Sequence, residues 1–409
     1  MKIAIVGAGL MGRLLALSLH RRAELEVTLL DKDTKLAHNS AAYAAAGLLT
    51  PLGESLHCEK NIVEMGFESL SLWPNLLASL DEHTFFQQTG AIMVSHEQDK
   101  GDYLRFVRHL KNNYPEQTLQ TLNRAQLNDL EPELGRSFNQ GLYLPQEGQI
   151  GNRRLLVALR KQLEQEEVNW LSECLVTEIK ANGHGTTITY QRKAYKQQSS
   201  KQQSQHFDLV IDCRGTGASI KNANSACAPL TDLRSVRGEI FQLFAPDVHL
   251  SRPIRLMHPR YQLYIAPKGK GFYVVGATEI ESDDEANMTV RSAMELLSAA
   301  YSVHPGFAEA NIRQHISQSR PAFSDNQPQI IVQDSFVQIN GLFRHGFLIA
   351  PVVLEQVLSV VNNKVTGKEQ TLPYNHLLSV QMLPRQTSSI QRSAIQKHSK
   401  QRNKEEAIS

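Results

Sequence analysis

Ten residues near the start of the chain, IAIVGAGLMG from Ile3 to Gly12, restrict its fold more than any other stretch. An apolar run of strand length breaks into glycines and gives way to the helical pattern GRLLALSLHRR. Gly7, Gly9 and Gly12 stand in the order G-x-G-x-x-G at that junction. In such a turn the first glycine permits the tight bend and the second lets main chain approach a pyrophosphate. The third lets the helix pack closely on the strand. Phosphates then meet unpaired N–H groups and the positive end of the helix dipole. Residues 26–30 read as the second strand, and Asp31 closes it, where an acid accepts hydrogen bonds from ribose hydroxyls. The pattern calls for an α/β dinucleotide fold. It does not choose between NAD and FAD.

At 409 residues the chain is long enough for two domains with their own cores. A formal net charge of +2 gives no electrostatic reason to expect nucleic acid. No uninterrupted apolar run is long enough to span a bilayer. Arg13, His20, Arg21 and Arg22 break up the apolar start that a signal peptide would need. Cys58, Cys174, Cys213 and Cys227 lie far apart, with no metal-ligand spacing. Free thiols in a reducing cytoplasm, and no metal, are the expectation.

A doubly wound nicotinamide dehydrogenase continues βαβαβ after its first unit. Here the second strand leads into small residues and a long amphipathic helical pattern from Leu56 to Leu80. The nucleotide fold is therefore expected to be interrupted by another domain. At Gly148 the chain turns into GQIGNRRLLVALRKQLEQEEV, with Leu155, Leu159 and Leu163 on one helical face. Strands follow at 174–180 and 186–191, and then the polar run RKAYKQQSSKQQSQH, read as a floppy hairpin loop. FDLVIDCRGTGAS reads as a short buried strand ending in a glycine turn, and residues 236–280 alternate in a β manner. Beyond Gly367 the composition turns to Gln, Ser, Lys and Arg, with disorder expected from about residue 385.

Two further stretches bear on the cofactor. NSAAYAAAGLLTP, Asn39 to Pro51, would let main chain lie against a planar ring, although alone it is equally an alanine-rich helix start. INGLFRHGFLIAPVVLEQVLSVV, Ile339 to Val361, is a turn flanked by Gly341 and Gly346 and then an apolar helix. The positive end of that helix, aimed at a flavin, would stabilise its anionic reduced form, although alone it is equally a buried core helix. Together with GQIGNRRLL, SVRGEIFQL, LYIAPKGKGFYVVGATE and SRPAFSDNQP, these motifs resemble the D-amino-acid-oxidase-like flavoproteins. Within that family the resemblance is to the glycine oxidases of thiamine biosynthesis, over residues 1 to 365.

The resemblance implies non-covalent FAD in a Rossmann-like domain of glutathione-reductase type. An α+β substrate domain with an antiparallel sheet would interrupt it. The FAD-binding domain would comprise 1–85, 148–230 and 320–365, and the substrate domain 86–147 and 231–319. Residues 366–409 would be a basic, polar, largely disordered tail. Position by position, the resemblance puts Leu10, Met11, Asp31 and Lys32 at the ADP part of FAD, with Gly7, Gly9 and Gly12 in the turn. Ala41, Ala42, Ala46, Gly47 and Leu48 would run beside the pyrophosphate-to-flavin region, and Val176 would hold the adenine through its main chain. Leu342, Phe343, Arg344, His345, Gly346, Phe347 and Leu348 would wrap the flavin ring.

A guanidinium can clamp a carboxylate in a bidentate fork, so Arg344 and Arg320 are the candidate substrate arginines. A lone arginine is ordinarily a surface charge, but both positions match the family's, and Arg344 is preferred to Arg320. Tyr264 matches a tyrosine that helps bind the carboxylate, and His345 reads as flavin-loop structure rather than an acid–base group. The implied activity is oxidation of glycine or a similar small amine. Hydride passes to flavin N5, water hydrolyses the imine, and dioxygen reoxidises the flavin to give hydrogen peroxide. No separate catalytic residue is expected. The family's frequent tetramers make a homo-oligomer an expectation as well. The sequence departs from the family at QIIVQD after SRPAFSDNQP, at Ser319 and at Arg214. The rival readings are a D-amino-acid dehydrogenase passing electrons to a quinone or other acceptor, a non-catalytic flavoprotein partner, and a nicotinamide dehydrogenase.

Overall fold

The structure, a computed structural model, describes residues 1–182, 184–192, 201–219, 228–258, 263–284 and 286–383. At its N-terminus β1 (Lys2–Val6), α1 (Leu10–His20) and β2 (Glu26–Leu30) form the expected unit. The two strands are the fifth and sixth of a seven-stranded sheet. Its order is β22 (Val380–Met382), β20 (Gln329–Gln333), β21 (Phe336–Asn340), β13 (Leu209–Asp212), β1, β2 and β9 (Asn169–Leu171). Every pairing is parallel except β20 with β21.

A parallel sheet is covered on both faces, so its strands read as continuous apolar runs. Ile3 and Ile5 point to one layer, with α1, α4 (Lys60–Ala78), α7 (Asn152–Gln165) and α9 (Gly346–Thr366). Ala4 and Val6 point to the other, a meander of β10 (Cys174–Asn182), β11 (Gly185–Arg192) and β12 (Lys201–Phe207). Trp73 of α4 is fully buried, and its indole N–H donates to Phe347 O at 3.1 Å, which ties α4 to α9. The segment Phe343–Thr366 is long and apolar enough to cross a membrane by length and composition, although Arg344, Glu355 and Gln356 interrupt its apolar run. Most of that stretch is buried in the fold, as a core helix of this layer requires.

The second sheet has nine strands. Its order is β18 (Ile280–Glu281), β14 (Arg234–Phe244), β17 (Phe272–Gly276), β16 (Leu263–Pro267), β15 (Ile254–Met257), β5 (Ala91–Ser95), β7 (Gln140–Leu144) and β6 (Gln120–Asn123), with β19 (Asn311–Ala322) also on β14. All pairs are antiparallel but β15 with β5. α8 (Val290–Val303) packs on one face through Leu296, Ala299, Ala300 and Val303. Nearby lie α5 (Lys100–Asn113) and α6 (Arg124–Leu130). Between the two sheets run α2 (Ala41–Ala44), α3 (Pro51–Glu54) and a small sheet of β3 (Leu48–Leu49), β8 (Gly148–Ile150) and β4 (Phe86–Gln87).

Three expectations need correction. The polar run after β11 is not all loop, because Lys201–Phe207 pairs with β11 as β12. A strand needs a partner and an alternation more than it needs apolar composition. Residues 193–200 lie outside the described residues. The boundary set between 319 and 320 falls inside β19, which pairs with β14 without interruption there. Residues 366–383 are not a disordered tail. α9 ends on Gly367 in the left-handed conformation, Leu377 and Leu378 pack into the core, and β22 pairs with β20. Gln356 in α9 reinforces this turn by donating to Leu378 O at 3.0 Å. The remainder of the tail, 384–409, and Cys227 lie outside the described residues; Cys58, Cys174 and Cys213 are free thiols.

Truncating the chain after Gly367 is accordingly expected to destabilise it by about 4 kcal/mol. Two buried leucines contribute about 2 kcal/mol each. Urea denaturation of the two forms measures the difference.

Candidate functional site

A single cavity of about 1500 Å³ collects almost every residue the sequence singled out. It is lined by Gly7, Gly9, Leu10, Met11, Asp31, Lys32, Ala41, Ala42, Ala46, Gly47, Leu48 and Val176. Leu342 to Leu348, Tyr264 and Arg320 complete the set, whereas Gly12 does not reach the cavity. A Cβ on Gly12 would lie 1.8 Å from Gly7 O, so its part is the close approach of α1 to the turn. Gly7 has φ +103°, and a Cβ there would meet Cys213 O at 2.6 Å. A Cβ on Gly9 would meet nothing, because that residue faces the open cavity.

The N-terminus of α1 carries neither a side-chain cap nor an acidic residue in its first turn. Its amides are thus offered to an anion. Arg13, almost fully buried, braces the turn by donating from Nε to Ala8 O at 2.8 Å and from Nη2 to Lys35 O at 2.9 Å. Asp31 accepts from the amides of Ala8 and Asp33, and burial raises its pKa. The ladder between β10 and β11 slips between Val176 and Glu178, which places a bulge beside the residue expected to meet the adenine.

At the other end of the cavity the antiparallel sheet supplies one face. Arg255, Tyr264, Gly276, Ile240 and Ile316 stand directly opposite one another on β15, β16, β17, β14 and β19. Opposed residues share a face, and Arg320 joins them because it lies an even number of positions from Ile316. Ala46 and Leu48 pack against this face. Two glycines on it make room for polar groups. A Cβ on Gly238 would lie 2.1 Å from Arg320 Nη2, and one on Gly276 would lie 2.8 Å from Tyr264 Oη. Gly238 sits in the quoted motif SVRGEIFQL, but its purpose is visible only once β14 and β19 are paired.

The two candidate arginines differ in their surroundings. Arg320 is half-buried, donates from Nη1 to Thr278 O at 3.2 Å, and has no ion pair among the described residues. Burial lowers its pKa. Arg344 instead donates from Nη2 to Glu54 Oε2 at 2.6 Å and from Nη1 to Glu279 Oε2 at 2.8 Å. Burial opposes its charge, but Glu54 and Glu279 outweigh that and raise its pKa. The other oxygen of Glu54 accepts from Arg255 Nη2, whose Nη1 donates to Gly53 O at 2.8 Å. Desolvation works against the Glu54 carboxylate, yet Arg255 and Arg344 hold it well below its ordinary range. His345 Nε2 lies 3.5 Å from Glu54, and burial lowers the histidine's pKa. Glu147 accepts from Gly53 N at 2.8 Å, and burial pushes its pKa up to about 8.

Glu54, Arg255 and Glu279 were not found from sequence. The only signal was Glu279 at the end of the quoted LYIAPKGKGFYVVGATE. The departure QIIVQD forms β20, away from the cavity lining. Arg214 does line the cavity and pairs with Asp212, with Nε 2.8 Å from Oδ1.

The profile of one family, described as "DAO: FAD dependent oxidoreductase", matches residues 2–355. The chain belongs to that family. It is an FAD-dependent oxidoreductase and binds FAD. Over 357 residues it is 32% identical to a putative thiamine biosynthesis oxidoreductase ThiO of Rhizobium etli, spanning 87% of this chain and 95% of that one. The solved glycine oxidase of Geobacillus kaustophilus is 21% identical, with TM-score 0.76 over 94% of this chain and 99% of that one. Iminodiacetate oxidase of Chelativorans sp. BNC1 is 18% identical, with TM-score 0.73 over 93% and 99%. The two structures share the fold, a Rossmann-type nucleotide domain joined to an antiparallel sheet. The residues of this oxidoreductase fit FAD on their own evidence. The open face at Gly9, the uncapped start of α1 and the small residues Ala41, Ala42, Ala44, Ala45, Ala46 and Gly47 leave a trough that side chains would otherwise fill.

Replacing Glu54 with Gln is expected to destabilise the enzyme by roughly 3 kcal/mol, because two buried guanidinium groups lose their shared anion. The folded pKa of Glu54 is depressed, so its contribution is complete above the unfolded value of about 4.3. It is lost as pH falls toward the folded value. Urea midpoints of wild type and variant should therefore differ most at neutral pH and converge in acid.

Proposed function

We propose that this FAD-dependent oxidoreductase oxidises glycine or a similar small amino acid or amine, with dioxygen as the electron acceptor. The observation that carries the reading is the Arg320 guanidinium, free of ion pairs among the described residues, on one sheet face with Tyr264. Arg320 is the better carboxylate clamp of the two arginines, because both Nη atoms of Arg344 already serve Glu54 and Glu279. Tyr264, kept neutral by burial that raises its pKa, would donate its hydroxyl to the same carboxylate.

When bound, FAD supplies hydride acceptance from the substrate's α-carbon and passes the electrons to dioxygen, with hydrogen peroxide as product. The side chains bind and orient. Arg320 and Tyr264 would fix the carboxylate, and the Ala46–Leu48 segment would set the depth at which the α-carbon stops. No side chain has to take the α-proton, because hydrogen leaves with its electron pair. The resulting imine is hydrolysed by water. The amides at the start of α9, which lacks a side-chain cap, would favour negative charge at that end of the cavity.

Anaerobic addition of glycine, sarcosine or D-alanine is expected to bleach the flavin absorbance, and air to restore it with release of peroxide. Bleaching without rapid recovery would assign a different acceptor. A flavin that none of the three reduces would overturn the reading. Gly238→Ala, whose Cβ invades the Arg320 guanidinium, is expected to raise the KM for the best substrate about tenfold to a hundredfold. Flavin absorbance per chain checks its folding.

A further inference from the structure

The anionic partners Glu54 and Glu279 hold Arg344 with unequal permanence. Glu54 is buried and shared with Arg255, so it is fixed. Glu279 is half exposed, with 47% of its side chain accessible, and it lines the cavity. Its backbone is nevertheless anchored. The preceding residue, Thr278, accepts from Arg320 through its carbonyl and donates from Oγ1 to Glu239 Oε2 at 3.0 Å. Thr278 Oγ1 also accepts from Glu239 N at 3.0 Å. Glu279 thus follows directly on the residue that holds one arginine, and its own carboxylate holds the other.

This arrangement leaves the two guanidinium groups with different tasks. One is open to a carboxylate, and the other is closed by a carboxylate of the chain itself. A ligand with two carboxylates could engage both arginines only by expelling Glu279. The expelled charge would stay in a cavity that Glu54, Asp283 and Glu295 also line. Arg291 lines the cavity as well, but it makes no ion pair with Glu279 among the described residues. A ligand with one carboxylate and a small neutral or basic remainder meets no such conflict.

We propose that Glu279 is a specificity-determining residue, which occupies Arg344 as a second substrate carboxylate would and so restricts the enzyme to substrates with a single carboxylate. The inference rests on the reading that Arg320 binds the substrate carboxylate. It assigns Glu279 no part in the chemistry. Discrimination here is built by placing a like charge against the wrong ligand rather than by adding contacts to the right one.

The test uses binding, so that it does not depend on turnover. FAD-loaded wild type, Glu279→Gln and Glu279→Asp are titrated with acetate and with malonate, and the shift in flavin absorbance is followed. In Glu279→Gln the ratio of malonate Kd to acetate Kd is expected to fall about tenfold relative to wild type. In Glu279→Asp, which keeps the charge, the ratio should stay within about threefold of wild type. An unchanged ratio in Glu279→Gln, or an equal fall in both variants, overturns the proposal. Acetate that perturbs none of the three proteins overturns both this inference and the carboxylate clamp at Arg320. An enzyme that binds acetate as expected but is reduced by no amine leaves Glu279 its role and removes only the proposed reaction.

Discussion

One carboxylate holds the two halves of this enzyme together at the point where they must meet. Glu54 ends the short helix α3, takes Arg255 from the antiparallel sheet, and takes Arg344 from the turn that starts α9. Burying three charges is costly, and a triad of this kind rarely adds more stability than apolar residues of equal size would. What it gives instead is position. A guanidinium and a carboxylate meet in a narrow range of geometries, so the triad fixes the distance between sheet and turn in a way that apolar packing would not. Glu147 beneath α3 and the bond from Arg255 to Gly53 O extend the same constraint to the helix backbone.

The far end of the cavity is shaped as much by missing atoms as by present ones. Gly238 and Gly276 lie on a sheet face where their neighbours carry side chains, and each gives way to one polar group of the opposite strand. In an ordinary strand a glycine weakens packing. Here the space it leaves is filled by Arg320 or by the Tyr264 hydroxyl. The same economy governs the nucleotide end, where Gly12 lies against Gly7 and Gly9 remains open.

Much of this was legible beforehand, and the reasons differ by element. The strands at 2–6 and 26–30, the helix between them and the later helix with Leu155, Leu159 and Leu163 announced themselves through local periodicity. The cavity lining could be named because short motifs with a fixed spacing carried it. The triad could not be named. Glu54, Arg255 and Arg344 are ordinary charges lying far apart in sequence, and only the pairing of distant strands shows that they share one site. Arg344 was preferred as the open clamp for the same reason, since neither of its carboxylates was visible. The segment around Leu377 failed differently, because two leucines and a three-residue strand make too weak a signal within a polar stretch.

The position of β1 also has a consequence for how the chain comes to be folded. One neighbour, β2, follows within thirty residues, but the other, β13, begins at Leu209. At ribosomal speeds of about 5–20 residues per second, the βαβ unit waits roughly ten to forty seconds for that partner. During this time one edge of its apolar strand is unpaired and open to wrong partners. Local hairpins such as β16 with β17 meet no such delay. The carbonyl of Cys213, against which Gly7 is packed, arrives only with the late strand. The dinucleotide turn is therefore among the first parts of the site to be synthesised, yet it is completed only when Cys213 emerges.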